Sequence, residues 1–151
     1  MSEVLRPAPT RRLIGLVGPP GVGTSTLADR LARDDAAAAV LPMDGFHLTQ
    51  QHLRQLGRRE RMGAPDTFDV QGFAAILRAL RTDETVTAPG FDRTIEEPVA
   101  GAITIGRGIR TVYVDGNYLL VWEGIAELLD ETNARLIAAS AARATRTLAV
   151  D

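Results

Sequence analysis

The segment Gly18-Pro19-Pro20-Gly21-Val22-Gly23-Thr24-Ser25 has the spacing of a phosphate-binding loop, G-x-x-x-x-G-K-[ST], at every position but one. Glycines in such a loop let the backbone turn its N–H groups toward phosphate oxygens. Its lysine reaches the β- and γ-phosphates, and the following hydroxyl ligates Mg²⁺. Here Thr24 stands at the lysine position, followed by Ser25 and Thr26. A hydroxyl supplies one donor and no charge. A hydrogen bond to a charged group contributes about 1.5–3 kcal/mol, and losing one preorganised donor to a developing anion slows a reaction by about 10²–10³. Nucleotide affinity is therefore expected to survive better than turnover. All 17 basic residues are arginine, so no lysine within the sequence can replace the missing one. An arginine such as Arg61 or Arg93 is the candidate substitute.

Three further clusters carry chemistry. Met43-Asp44-Gly45-Phe46-His47 offers a carboxylate that can accept a proton from an attacking hydroxyl; the plainer role for Asp44 is a turn before glycine. A lone loop histidine such as His47 is more often packed or solvated than catalytic. Arg61 to Asp69, with Phe91-Asp92-Arg93, offers guanidinium forks for phosphate or carboxylate. Arg54 and Arg58 fit a solvated helix face equally well, whereas Arg61 and Arg93 favour function. Val114-Asp115-Gly116-Asn117-Tyr118 places an acid where a Walker-B carboxylate would hold Mg²⁺, with a strand-end turn as the alternative.

These residues need elements to hold them. Leu13 to Val17 is an apolar run, hence a buried strand, and Ser25 to Arg33 has helical spacing. Strand, glycine loop and helix N-terminus is the context that the loop requires. Ala36 to Met43 and Thr111 to Val114 read as further strands, each ending at Asp-Gly. Leu48 to Arg59 and Leu119 to Leu129 read as helices. Val70 to Arg81 is an amphipathic helix with Phe73, Ile76, Leu77 and Leu80 on one side. Thr85 to Ala88 and Ala102 to Ile105 are short strands around an acidic loop. Asn133 to Arg143 predicts a last helix and Leu148 to Val150 a last strand. Alternating strands and helices imply an α/β, three-layer fold with a mainly parallel sheet, whose ligands sit beyond the strand C-termini.

Composition sets outer bounds. The 151 residues are 45% hydrophobic and 24% charged, with net charge −2. That is one globular domain of residues 13–151 behind a flexible segment, 1–12. Without cysteine there is no disulfide or thiolate metal site. The sequence pI of 5.7 argues against nucleic acid as a partner, despite the arginines at 54–61. There is neither an apolar run long enough for a membrane span nor an apolar signal core, so a cytoplasmic location and no membrane partner are expected.

Together the loop, Leu41 to His47, Gly63 to Asp69, Phe91-Asp92-Arg93 and Asp115 to Leu120 occur in an order that resembles the phosphoribulokinase, uridine kinase and bacterial pantothenate kinase superfamily. The resemblance covers nearly all of the chain from Leu13. It implies a P-loop NTPase-type fold, with ATP and Mg²⁺ on Gly18, Gly21, Val22, Gly23, Thr24, Ser25 and Thr26. It implies Asp44 as general base and Arg93 at the acceptor or its phosphate, with Ser25 and Asp115 at the metal. The acceptor would be a nucleoside, sugar or pantothenate-like compound, held by His47, Arg61, Asp92, Asn117 and Tyr118.

Departures from that pattern bear on activity. Thr24 replaces the lysine, and Met62 stands where a basic residue is common. Asp115 stands where glutamate is frequent. Between Asp130 and Asn133, relatives carry a longer segment that contains a strand beside the phosphate-loop strand and an arginine-bearing lid. Without it the sheet is expected to lack that strand, so that Leu148 to Val150 must pair in its place or leave an edge open to a second copy, a homodimer. Two functions stand: phosphoryl transfer to a small hydroxyl-bearing metabolite, or non-catalytic nucleotide binding by a pseudo-kinase. A remnant without any ligand is the third.

Overall fold

The computed structural model describes residues 10–18 and 24–132. The α/β architecture expected from the sequence is what the chain adopts. Strand β1 (Arg12–Leu16) leads to the phosphate loop and helix α1 (Thr24–Arg33), and the chain returns through β2 (Ala38–Pro42). A short six-residue helix, α2 (Gln50–Gln55), is followed by the amphipathic α3 (Val70–Thr82). The hairpin β3 (Val86–Asp92) and β4 (Glu97–Ile105) precedes β5 (Thr111–Asp115), and β6 (Glu131–Thr132) ends the described residues.

The main sheet runs β2-β5-β1-β6 and every pairing in it is parallel. Its centre is apolar on both faces, as parallel strands covered by helices require: Leu13, Leu16, Leu41, Val112 and Val114 are all buried. Helix α3 buries Phe73, Ala74, Leu77 and Leu80 at helical spacing, while Ile76 packs partly at the edge of that stripe. Its first turn is capped by Asp69, whose Oδ1 accepts from the Gly72 N–H at 2.9 Å. Among the described residues no helix is long and apolar enough to cross a membrane.

Several elements differ from the sequence expectation. The place beside β1 is not vacant: Glu131 and Thr132 pair in parallel with Ile14 and Gly15. Two residues suffice because Asp130 clamps the approach. Its backbone N–H donates to Leu13 O at 2.8 Å, and its Oδ2 accepts from the Leu13 N–H at 2.6 Å. Arg81 reaches the same carboxylate at 2.9 Å. Burial raises the Asp130 carboxyl, but the Leu13 N–H and Arg81 outweigh it and leave the pKa below the ordinary value. The expected helix over 133–143 and strand over 148–150 lie outside the described residues.

Leu119 to Leu129 is not a helix but a chain of turns ending in a single 3₁₀ turn, Ala126–Leu128. Leu119, Trp122, Ile125 and Leu129 are buried and mimic helical spacing, yet Gly124 sits at φ +85° and interrupts any continuous ladder. The helix predicted over 48–59 stops at Gln55 because Gly57, at φ +71°, turns the chain out. Conversely, the two short strands at 85–88 and 102–105 extend through the acidic segment. They form one antiparallel hairpin with an irregularity at Pro89, where proline cannot donate to the ladder.

Arg11 and Arg12, which the sequence reading placed ahead of the domain, belong to the fold. Arg11 is 2% exposed. Its guanidinium donates to the carbonyls of Leu80 (2.9 Å), Asp83 (2.6 Å), Glu84, Gly106 (3.0 Å) and Ile109 (3.1 Å). All five N–H donors of an arginine are thereby used. They collect the last carbonyls of α3, which lack intrahelical partners, together with those of the loops around the hairpin. Burial, then the charge of Arg110, draws the Arg11 pKa below its usual range, with Asp83 opposing. Replacing Arg11 with leucine strands these carbonyls. At about 1–3 kcal/mol for each carbonyl that water does not reach, a loss of about 3–5 kcal/mol is expected, equivalent to a fall of at least about 6 °C in the melting midpoint. A fall under about 2 °C by circular dichroism would mean that water satisfies these carbonyls unaided.

Candidate active site

Register fixes the site. Asp115 at the end of β5 pairs level with Leu16 on one side and Pro42 on the other. The three strand ends therefore share one rim, and the residues that follow them are Val17-Gly18, Met43-Asp44 and Gly116-Asn117. Both Asp-Gly pairs answer a steric demand. A Cβ on Gly45 would lie 2.1 Å from the carbonyl oxygen of Pro89, so glycine lets the rim pack directly against the hairpin. A Cβ on Gly116 would lie 2.6 Å from the Met43 Cβ.

Ser25, in the first turn of α1, donates its Oγ hydrogen to Asp115 Oδ2 at 2.7 Å. Asp115 is 8% exposed. A hydroxyl and a carboxylate in contact at the helix N-terminus are hard oxygen donors suited to Mg²⁺, which takes one or two protein ligands and completes its shell with water and phosphate. Among the described residues no group of three or more His, Cys, Asp or Glu could hold a metal by itself. Gly18 closes β1. Gly21, Val22 and Gly23, with the Thr24 side chain, lie outside what the structure describes.

Asp44 lies in the 3₁₀ turn Met43–Phe46 and borders a cavity of about 520 Å³. Burial raises the Asp44 pKa above its ordinary value; Arg93 and His47 pull it down, and Asp115 pushes it up. A carboxylate tuned upward is a stronger base. Arg93 Nη2 is 3.6 Å from Asp44 Oδ2, and its side chain is 78% exposed.

The cavity brings together Asp44, His47, Arg93 and Asn117 of the residues singled out by sequence. His47 is 8% exposed and packed rather than solvated. Its ring packs at a tilt against Phe68 (4.4 Å between centroids) and nears Phe91 (5.6 Å), and its Nδ1 faces Leu48 O at 3.1 Å.

Arg61, Asp92 and Tyr118 do not line the cavity. Arg61 Nη1 pairs with Asp66 Oδ2 at 2.9 Å. Asp92 shapes the hairpin turn: its Oδ1 accepts from the Thr94 hydroxyl and N–H, which together hold its pKa below the usual value. Tyr118 donates its hydroxyl to Gly63 O at 2.7 Å and so pins a loop that does line the cavity.

Sequence reasoning missed Arg59, Glu60 and Glu96, which complete the polar lining, and the walls of Phe68 and Phe91. The two rings stand in the segments 61–69 and 91–93, whose charged residues alone carried the sequence reading. Glu96 was hidden in an acidic run.

Strand, phosphate loop and helix on a parallel sheet, with acids at the ends of the two neighbouring strands, define a P-loop α/β protein. No family model matches the chain. Individual proteins do. It is 35% identical over 136 residues to a provisionally named uridine kinase of Schizosaccharomyces pombe, an alignment covering 80% of this chain and 58% of that one. It is 40% identical to the crystal structure of a provisionally named fructose transport system kinase from Silicibacter sp. TM1040. There the TM-score is 0.77, over 87% of this chain and 68% of the other. Phosphoribulokinase from Rhodobacter spheroides shares the fold at 15% identity, with a TM-score of 0.62 over 83% of this chain and 50% of the other. The chain spans little more than half the length of the curated relatives it matches. It belongs to the phosphoribulokinase and uridine kinase type of P-loop kinases.

The raised pKa of Asp44 has a consequence for stability. The folded state holds its proton more tightly than the unfolded chain, so stability from this group is full below the unfolded pKa and is lost as pH rises through the folded one. Asp44→Asn removes that loss. It is expected to stabilise the fold at pH 7, by under about 1 kcal/mol for a half-exposed group. The difference from wild type should shrink as pH falls below about 4. Denaturant melts at the two pH values read it, and a destabilised variant at pH 7 would contradict the assignment.

Proposed function

We propose that this chain is an ATP-dependent kinase that phosphorylates a small hydroxyl-bearing metabolite, with Asp44 as general base. The observation that carries the reading is the shared rim: the phosphate loop, the Ser25–Asp115 pair and Asp44 follow strand ends held level by one register, beside a cavity of about 520 Å³. ATP with Mg²⁺ would supply the phosphoryl group and shield its charge. Ser25 and Asp115 would hold the metal, and the loop N–H groups the phosphates. In the cavity Asp44 would take the proton of the acceptor hydroxyl as its oxygen bonds to the γ-phosphorus and ADP leaves. Arg93, beside Asp44, would orient the acceptor, with Asn117 and His47 completing the wall.

The polar lining is mixed in sign: Asp44, Glu60 and Glu96 against Arg59 and Arg93. It suits a neutral polyhydroxylated acceptor, a nucleoside or sugar, better than a multiply anionic one. The names of the relatives make uridine and fructose the first compounds to try, with pantothenate as the anionic comparison.

Thr24 favours a second reading, a non-catalytic nucleotide-binding protein. Calorimetry with ATP·Mg²⁺ on the native chain and on Thr24→Lys separates the outcomes. Micromolar binding by the native chain is expected, with tighter binding by Thr24→Lys. If neither protein binds, the kinase reading describes ancestry only. Where an acceptor turns over, Asp44→Asn should lower kcat by about 10²–10⁴ and leave ATP affinity within a factor of two or so. Turnover insensitive to that change would remove Asp44 from the mechanism.

A further inference from the structure

One polar side chain outside the cavity joins two of its walls. Gln50 opens α2, and its amide uses its full hydrogen-bonding capacity. Nε2 donates to the carbonyls of Ile95 (3.0 Å) and Glu96 (3.1 Å), in the turn between β3 and β4. Oε1 accepts from Arg59 Nε (3.2 Å) and Arg54 Nη2 (3.3 Å). Two donors and two lone pairs are all that a glutamine has. The Gln50 backbone N–H, one of the orphan donors of a helix start, goes to Glu97 Oε1 at 2.8 Å. Arg59 closes the circuit with an ion pair to Glu96, 3.8 Å away.

What this network holds is functional rather than merely folded. The turn carries Arg93 and Glu96 into the cavity lining, while Arg59 and Glu60 line it from the segment after α2. Glu96 sits at φ +54°, and among the described residues no other non-glycine residue has positive φ. Left-handed backbone at such a residue is disfavoured by about 1–2 kcal/mol and persists only where neighbours impose it. The Gln50 amide grips the peptide on either side of Glu96, by the Ile95 and Glu96 carbonyls. Asp92 fixes the other end of the turn through Thr94.

We propose that Gln50 is a positioning residue for the acceptor site: it clamps the 92–97 turn against α2 and thereby sets Arg93 over Asp44 and Glu96 at the cavity wall. The clamp deepens the kinase reading, on which its role in acceptor binding rests. Its geometry can be tested without any acceptor.

The test uses the full chain without nucleotide or metal, as wild type, Gln50→Met, Arg93→Ala and the double variant. Methionine keeps the length of the side chain and removes all four hydrogen bonds. Amide hydrogen exchange by mass spectrometry is expected to quicken about tenfold in the peptide covering 92–97, with β1 and β5 unchanged. Carbon-13 titration of the Asp44 carboxyl supplies a reading that simple loosening of the fold would not move. Asp44 is faced by Arg93, Asp115 and His47. Because Arg93 holds the Asp44 pKa down, both single variants should raise it. The double variant should raise it no further than Arg93→Ala alone. Unchanged exchange in the turn would overturn the clamp. Faster exchange with an unmoved Asp44 would overturn the positioning role. A chain that binds no ATP fails the kinase reading, and both measurements still decide the clamp.

Discussion

Parallel pairing of β5 between β1 and β2 is the constraint from which the site follows. A parallel ladder admits only crossover connections, so each strand must deliver its C-terminus to the same side of the sheet. Leu16, Pro42 and Asp115 end level in the register. The three loops that leave them therefore compete for one rim, and under the proposed function each would supply a different chemical part: phosphate contacts, a base and a metal ligand. A shift of one residue would carry Leu13, Val112 and Leu41 from the face of the sheet that they share to the other. The core that stabilises the domain is thus the same device that aligns the chemistry.

Close approach of the hairpin is the second constraint. Gly45 meets the backbone of Pro89, and the β3–β4 irregularity lies at that point. The contact brings the hairpin against the rim, and the turn at its far end brings Arg93 back to Asp44. An acid at a strand end is common in α/β proteins; an acid that borders a cavity with an aromatic wall, an arginine and a second carboxylate requires that extra layer. The hairpin belongs to no layer of the parallel sheet, which is why alternation of strands and helices predicts the sheet well and leaves the cavity unseen.

Legibility followed the range of the interaction. The phosphate loop, the two Asp-Gly strand ends and α3 were readable because their signals are local: glycine spacing, an apolar run, helical periodicity. The order of residues at the rim followed from topology. The hairpin was under-read because its middle is acidic and contains proline, and its pairing is settled by residues five to nineteen apart, from Asp92 and Glu97 at the turn out to Val86 and Ile105. Leu119 to Leu129 was over-read, since turns around Gly124 can bury residues at the same spacing as a helix. Arg11 gave no signal at all. Beside Arg12 it looks like a charged tail, and only five carbonyls from distant segments make it a core residue.

Thr24 raises the question of where a cation for the phosphates would come from, and the structure narrows the answer. Arg61 is engaged with Asp66 at 2.9 Å, and Arg58 reaches the same carboxylate at 3.7 Å and the Asp66 carbonyl at 3.0 Å. Arg81 holds Asp130 beneath the sheet, and Arg11 is buried. Arg59 is tied into the Gln50 network. Arg93 differs from these: its pair with Asp44 is long at 3.6 Å, and the side chain is mostly in water. Exposed pairs of this kind contribute about 0–1 kcal/mol, less than the about 1.5–3 kcal/mol of a hydrogen bond to a charged group. Of these six arginines, Arg93 is therefore the one that can exchange its partner for an anionic ligand at small expense. The exchange would also release Asp44 from its cation and raise its basicity, so the arrival of negative charge at the rim and the readiness of the base would be coupled through one side chain.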